Sequence, residues 1–150
     1  MKIILLTVSI VSLLVSPSFA ELPETKPAEI LGTWRVLDYT TRKPRYVVKI
    51  SENKGQFEGH IVKVLGGDVE IRDGICADCE GPLKGKSLLG LRIIYSIKRD
   101  GSTYEDGYLL DPMNGNVYDS RAWIKDDGAK LLVRGYNGLF FRTHTWLRIY

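Results

Sequence analysis

The sequence predicts an all-β fold, an eight-stranded antiparallel up-and-down barrel preceded by one short helical turn. Turn-forming pairs such as Asp-Gly and Asn-Gly recur along the chain, and the stretches between them are rich in Val, Ile, Tyr, Trp and Phe. Apart from one long connection at 66–87, these stretches are spaced by roughly 8 to 14 residues, which leaves no room for crossover helices and argues against parallel α/β folds. Eight antiparallel strands have exposed edges unless the sheet closes, so a closed barrel is favoured over the alternative, a two-layer sandwich.

The first 20 residues have the three parts of a secretion signal. Lys2 precedes an apolar run from Ile3 to Val15, and small residues stand at Ser18 and Ala20. The run is shorter than the about 20 apolar residues that a spanning helix needs, so no stable membrane anchor is expected. We therefore expect cleavage after Ala20, one domain over residues 21–150, and a location in the bacterial periplasm or outside the cell.

The elements of this domain follow from its turn signals. Pro27 at a first helical position and Gly32 after Leu31 predict one helical turn over 27–31. In the first strand, Trp34 and Val36 alternate with Arg35 and Leu37. The predicted strands are 33–40, 46–51, 57–65, 88–98, 103–110, 116–125, 130–136 and 139–150.

Composition and charge exclude several classes of protein. The chain has 150 residues, 44% of them hydrophobic, with 21 Lys and Arg against 18 Asp and Glu. That composition excludes a disordered or collagen-like chain. Without Lys2 the net charge is 20 − 18 = +2, so no nucleic-acid partner is expected.

The two cysteines, Cys76 and Cys79, are expected to form a local structural disulfide, because an exported chain meets an oxidising compartment. Two alternatives remain open. A thioredoxin-like redox site would place the C-x-x-C before a helix, whereas Gly and Asp residues surround this one. A zinc site would need four ligands, and His60 and His144 are the only histidines.

The ionisable side chains carry no recognisable catalytic pattern. His60 and His144 could serve as metal ligands or general bases, but neither lies in a Ser/His/Asp, H-E-x-x-H or phosphate-loop motif. The paired acids at 68/70, 105/106 and 126/127 fit solvated turns better than an acid–base pair. The basic cluster at 42–45 is most simply an exposed turn. We therefore expect no enzyme activity, no metal and no cofactor.

Two resemblances rest on short motifs. Gly32-Thr33-Trp34 resembles the opening of lipocalins, in which the Trp closes one end of the barrel under a basic side chain from the last strand. Arg148 and Arg142 are the candidates for that side chain, and Gly32, Trp34 and Arg148 are the expected closure set. A wider series resembles the DUF2147 family of exported bacterial proteins, whose function is unknown and for which the resemblance implies a lipocalin-like barrel. That series comprises Gly32-Thr33-Trp34, Lys43-Pro44-Arg45, Gly59-His60-Ile61-Val62-Lys63, Cys76-Ala77-Asp78-Cys79-Glu80-Gly81, Gly90-Leu91, the run 111–118 (DPMNGNVY), Val133-Arg134-Gly135-Tyr136 and Trp146-Leu147-Arg148-Ile149.

Aromatic side chains direct the functional hypothesis. Tyr, Phe and Trp make up 10% of the chain, and many fall in predicted strands. We expect a small apolar or amphipathic molecule to bind inside the barrel beside Trp34, Tyr95, Tyr108 and Trp123. The alternative is a filled barrel that serves as an envelope protein–protein interaction module through the loop 66–87. The sequence does not indicate the ligand or the oligomeric state.

Overall fold

The computed structural model describes residues 29–66 and 74–149, so the predicted signal at 1–20 lies outside the described residues. Each strand pairs antiparallel with the next in sequence, and the last strand pairs with the first, which closes the barrel and excludes the sandwich. The predicted fold class is confirmed. The strands are β1 Gly32–Leu37, β2 Pro44–Asn53, β3 Gln56–Val64, β4 Arg92–Asp100, β5 Thr103–Leu110, β6 Val117–Lys125, β7 Lys130–Asn137 and β8 Phe140–Arg148.

Local hydrogen bonding explains where the strand ends differ from the predicted ones. β1 stops at Leu37 because the Asp38 carboxylate accepts hydrogen bonds from the backbone N–H groups of Thr40 at 2.9 Å and Thr41 at 2.5 Å, forming a turn. β4 starts at Arg92 rather than at residue 88 because residues 88–91 form part of the preceding loop. Of the expected helical turn, residues 27 and 28 lie outside the described residues, and residues 29–31 are not helical.

The up-and-down order separates the connections into two ends of the barrel. The β1–β2, β3–β4, β5–β6 and β7–β8 connections meet at what we call the open end, and the remaining connections meet with the start of β1 at the closed end. The long β3–β4 connection contains both cysteines and a short 3₁₀ turn at Gly81–Leu83. Among the described residues, no helix is long and apolar enough to cross a bilayer.

The core fills the barrel interior near the closed end. Tyr104 packs edge-to-face on Phe57 with ring centroids 5.1 Å apart, and its hydroxyl oxygen accepts a hydrogen bond from the Ile30 N–H. Both rings are buried. The largest side chains with almost no exposed surface are Trp34, Trp146, Tyr104, Ile30, Ile50, Ile61, Leu88, Ile94, Ile97, Leu110, Leu131 and Val48.

Two residues with positive φ interrupt the alternation of faces in β4 and β5. Ser96 has φ +53° and Asp106 has φ +56°. The β5–β6 register shifts between Tyr104 and Gly107. Such a bulge inserts an extra residue, so side chains on either side of it exchange faces relative to a regular strand. Tyr104 is buried, whereas Tyr108 is 51% exposed.

Candidate functional site

Trp34 and Arg148 close one end of the barrel. Trp34 has no exposed surface, and the Arg148 guanidinium carbon lies 4.1 Å from the centre of its ring. Arg148 also donates hydrogen bonds to the carbonyls of Gly128 at 2.6 Å, Leu31 at 2.8 Å and Glu29 at 2.5 Å. Gly32 has φ +122°, which favours glycine at the entry to β1. The structure thus brings together all three residues of the expected closure set.

The other three expected ligand residues lie on the outer wall, so their predicted interior position is wrong. Tyr95 is paired with the exposed Tyr108 across β4 and β5 and therefore faces the same side. Trp123 follows the buried Ala122 on β6, so its side chain faces outward. The physical reason in β4 and β5 is a β-bulge in each strand, which reverses the face of the residues beside it. In β6, Trp123 is one residue from the inward-facing Ala122 and so lies on the opposite face.

A cavity of about 220 Å³ lies inside the open end. Its apolar walls include Val36, Leu109 and Trp146, which lie on β1, β5 and β8. A second hollow of about 270 Å³ shares Leu109 and several polar residues with it and reaches the rim at Phe140. The barrel is therefore filled at the closed end and hollow at the open end.

One ion pair is built into the wall of this cavity. Arg45 at the start of β2 pairs with the buried Asp38 carboxylate, and both residues line the cavity. Burial raises the pKa of Asp38, but hydrogen bonds from Thr41 and the Arg45 guanidinium outweigh it and lower the pKa to about 2. Asp38 is therefore ionised at neutral pH and holds the β1–β2 turn in place.

Arg142 and His144 face the cavity from β8. They pair with Gly135 and Val133, whose side faces the interior, since Val133 is fully buried. The Arg142 guanidinium stacks on the Tyr39 ring at 4.6 Å, and the same ring lies edge-on to His144 with centroids 5.8 Å apart. Gly135, opposite Arg142, lets Tyr118 and Leu109 pack close to the β7 backbone, since an added Cβ would lie 3.1 Å from the Tyr118 Cβ.

The His144 ring is neutral and open to the cavity. Burial lowers its pKa below the ordinary 6.5, although the Asp111 carboxylate opposes this. Across the described residues, no hydrogen bond is formed to either ring nitrogen of His144. The imidazole can therefore both donate and accept a hydrogen bond toward a guest.

The β5–β6 turn forms the opposite wall. Asp111 accepts a hydrogen bond from the Met113 N–H at 3.0 Å, which shapes the turn. The Met113 sulfur accepts a hydrogen bond from the Tyr46 hydroxyl at 3.1 Å. Burial raises the pKa of Tyr46 and keeps that hydroxyl protonated.

The disulfide loop packs against this turn. Cys76 and Cys79 are bonded, with Cα atoms 5.4 Å apart, and both are buried. The Cys76 sulfur lies 3.6 Å from the Pro112 carbonyl oxygen. Gly115 approaches the Asp78 backbone so closely that a Cβ atom there would overlap it. The structure contains the expected disulfide, which buttresses the turn at the rim of the cavity.

His60 and the paired acids lie away from this site. His60 is opposite the exposed Lys49 on the outer wall. The Glu105 carboxylate accepts a hydrogen bond from the Thr103 hydroxyl at 2.8 Å and forms an ion pair with Arg121 at 3.0 Å, also outside the barrel. Asp126 pairs with Lys130 at 2.6 Å near the closed end. The turn interpretation agrees with the position of Asp126 and Asp127 between β6 and β7, but not with Glu105 and Asp106, which lie within β5. The pair at 68/70 lies outside the described residues.

Sequence reasoning did not identify the residues that line the open end. One available signal was the period-2 alternation of the last strand: if Arg148 faces inward over Trp34, then Trp146, His144 and Arg142 must do so too. Arg142 lies six residues from Arg148, about 20 Å along the strand, so it reaches the opposite end rather than Trp34. Asp111 and Met113 enter the site through a turn, for which periodicity gives no signal.

Comparison with known proteins agrees with the fold. Residues 32–148 match the family described as "Uncharacterized protein conserved in bacteria (DUF2147)". A similar solved structure is described as "Protein HP1028 from the human pathogen Helicobacter pylori belongs to the lipocalin family". It superposes with a TM-score of 0.66 at 20% sequence identity, covering 82% of this chain and 84% of that chain. No curated protein matches this chain.

Proposed function

The chain belongs to the DUF2147 family, and from its lipocalin-like geometry we propose that the barrel binds one small amphipathic molecule at its open end. The observation that carries the proposal is the cavity of about 220 Å³, in which apolar walls adjoin Arg142 and His144. Binding sites are mostly apolar concave surfaces with a few placed polar groups that fix orientation. The apolar part of the ligand would pack on Leu109 and Trp146, with its polar part toward the rim.

The proposed ligand is small because the interior is hollow only at the open end. Ligand pockets commonly span about 300–1,000 Å³, and this cavity is below that range. Trp34 then serves closure and packing rather than ligand contact, since its ring is fully buried under Arg148. Tyr95, Tyr108 and Trp123 lie on the outer wall and do not contact the guest.

We propose a binding role rather than a catalytic one. In the described part of the chain, no hydroxyl or thiol is hydrogen-bonded to His144, so the imidazole has no nucleophile to activate. The disulfide holds a rim loop rather than a strand-to-helix redox site. The proposed location remains the periplasm or the exterior, and intact-mass measurement of the exported protein should give a chain that begins at Glu21.

Titration of ligand-free protein tests the proposal. Short-chain alcohols, acids and amines of matched length are added while Trp fluorescence is recorded, because Trp146 lines the cavity and should report a guest. Native mass spectrometry of protein purified from its own compartment should show a retained small molecule. A saturable signal with one site per chain is the expected result.

Two variants locate the binding site. Leu109→Trp replaces a cavity-lining side chain with a larger one that fills the space. It should reduce affinity at least about tenfold, which corresponds to about 1.4 kcal/mol. Trp123→Leu, on the outer wall, is the matched control and should leave affinity unchanged. Far-UV circular dichroism confirms that both variants fold. Loss of binding in Trp123→Leu alone, or no saturable binding to the unmodified protein, would refute the proposal.

An interaction module is the second candidate, and the β7–β8 connection favours it. Leu139, Phe140 and Phe141 are 98%, 81% and 60% exposed, three consecutive apolar side chains at the rim. Exposed apolar clusters of this kind mark contact surfaces. Crosslinking in cells to one protein, lost in Leu139→Ser with Phe140→Ser and retained in Leu109→Trp, would support this function instead.

A further inference from the structure

We infer that the ligand of the open end is dipolar, a small molecule carrying a carboxylate and an ammonium group on a short apolar body, as free amino acids do. The inference rests on the proposed function and names the ligand class for the same cavity. It depends on which charged side chains line the cavity and which of them are already paired.

Four charged side chains line the cavity: Asp38, Arg45, Asp111 and Arg142. Asp38 and Arg45 are paired with each other and are largely buried. Arg142 and Asp111 form no ion pair with each other or with any other described residue. Arg142 instead stacks on Tyr39, and the Asp111 carboxylate accepts from the Met113 N–H.

Arg142 and Asp111 therefore present one positive and one negative group to the same space. A monoanionic guest would pair with Arg142 but would place its negative charge near the Asp111 carboxylate. A monocationic guest would pair with Asp111 but would place its positive charge near the Arg142 guanidinium. A charge taken from water without a partner is costly, whereas charge-assisted hydrogen bonds to an ionised partner are strong. A dipolar guest can pair with both groups at once, its carboxylate with Arg142 and its ammonium group with Asp111.

The rest of the cavity fits the body of such a molecule. Arg142 lies on β8 and Asp111 on the β5–β6 turn, so the two ends of a dipolar head can be held from two walls. Between and below them are Leu109, Val36 and Trp146, which offer an apolar surface.

The test uses two sets of matched probes in isothermal titration calorimetry at pH 7. One set is L-phenylalanine, 3-phenylpropionate and 2-phenylethylamine, and the other is L-leucine, 4-methylpentanoate and 3-methylbutylamine. Within each set the apolar body is constant, and only the charged groups differ. In at least one set the amino acid should bind at least about tenfold tighter than both analogues, a difference of about 1.4 kcal/mol.

Variants assign each charge to its side chain. Arg142→Gln should reduce affinity for the amino acid about tenfold and remove its advantage over the amine. Asp111→Asn should remove its advantage over the carboxylate, and Asn keeps a side-chain oxygen that can accept from the Met113 N–H. Arg134→Gln is the control, because Arg134 stacks on Trp123 and Phe141 on the outer wall.

The outcomes separate this inference from the proposed function. Equal affinities within both sets, or a preference for the carboxylates that Asp111→Asn leaves unchanged, would overturn the dipolar ligand. So would binding of short-chain alcohols without binding of either amino acid, and in that case the proposed function stands. Absence of saturable binding by the alcohols, acids, amines and amino acids alike would overturn both.

Discussion

Replacing Trp34 by Ala should remove a large part of the stability of this barrel. The indole ring is fully buried, its N–H donates to the Ile30 carbonyl at 2.8 Å, and Arg148 stacks on it. Deleting a buried Trp ring costs about 3–5 kcal/mol, because the ring loses its transfer energy and leaves a cavity. The lost cation–π contact is worth a further about 0.5–2 kcal/mol. Domains of this size hold only about 5–15 kcal/mol in total.

Urea unfolding followed by far-UV circular dichroism measures the loss of unfolding free energy. Circular dichroism is preferred to fluorescence because the two remaining Trp residues would still contribute to a fluorescence signal. Trp34→Phe provides a milder change that keeps a ring beneath Arg148 but removes the indole N–H. The buried Ile30 carbonyl then loses its donor, and about 1–3 kcal/mol should be lost.

Trp123→Ala is the matched control, since it deletes the same side chain from the outer wall, where Trp123 is only half-buried. We expect it to cost about 1 kcal/mol, the size of an ordinary substitution. If Trp34→Ala costs no more than Trp123→Ala, Trp34 does not close the barrel in the way described here.

Two further predictions concern the open end. The folded-state pKa of Asp38, about 2, is below its ordinary value of 3.8, so its stabilisation is present above pH 4 and is lost as pH falls toward 2. Asp38→Asn should therefore cost about 1–2 kcal/mol at pH 7 and flatten the stability profile between pH 4 and 2; parallel profiles for the two proteins would contradict this. In Gly115→Ala the new Cβ would overlap the Asp78 backbone. The variant should therefore lose about 1–3 kcal/mol of stability and show faster amide hydrogen exchange at Cys76 and Cys79. Gly138→Ala, also at positive φ but with open space around it, should leave that exchange unchanged.

The strands were predictable because turn chemistry is local. Asn114, Gly115, Asn137 and Gly138 mark two β-turns in the sequence, and the strands beside them begin within a residue or two of the expected positions. No sequence pattern indicated closure of the barrel directly; it was inferred from the exposed edges that eight antiparallel strands would otherwise have. Closure depends on the pairing of β1 with β8, a long-range contact that periodicity does not encode.

The binding face could not be predicted because it depends on strand register. In β5, Tyr104 and Tyr108 are four residues apart and would share a face in a regular strand. The bulge at Asp106 sends the first inward and the second outward. Positive φ at Asp106 and Ser96 leaves little trace in a sequence, because Asp and Ser are ordinary strand-end and turn residues.

The pairing of β1 with β8 also has a consequence for how the chain folds. Only Trp34↔Arg148, Arg35↔Leu147 and Val36↔Trp146 join the two strands, and these partners are more than a hundred positions apart in the sequence. Until β8 is synthesised, β1 has an unpaired edge and the growing sheet has nothing to close against. Non-local pairing of this kind slows folding, and an open hydrophobic edge promotes aggregation. The barrel therefore cannot close until β8 has formed, and a variant lacking β8 would keep two unpaired edges, those of β1 and β7, which can pair with other chains.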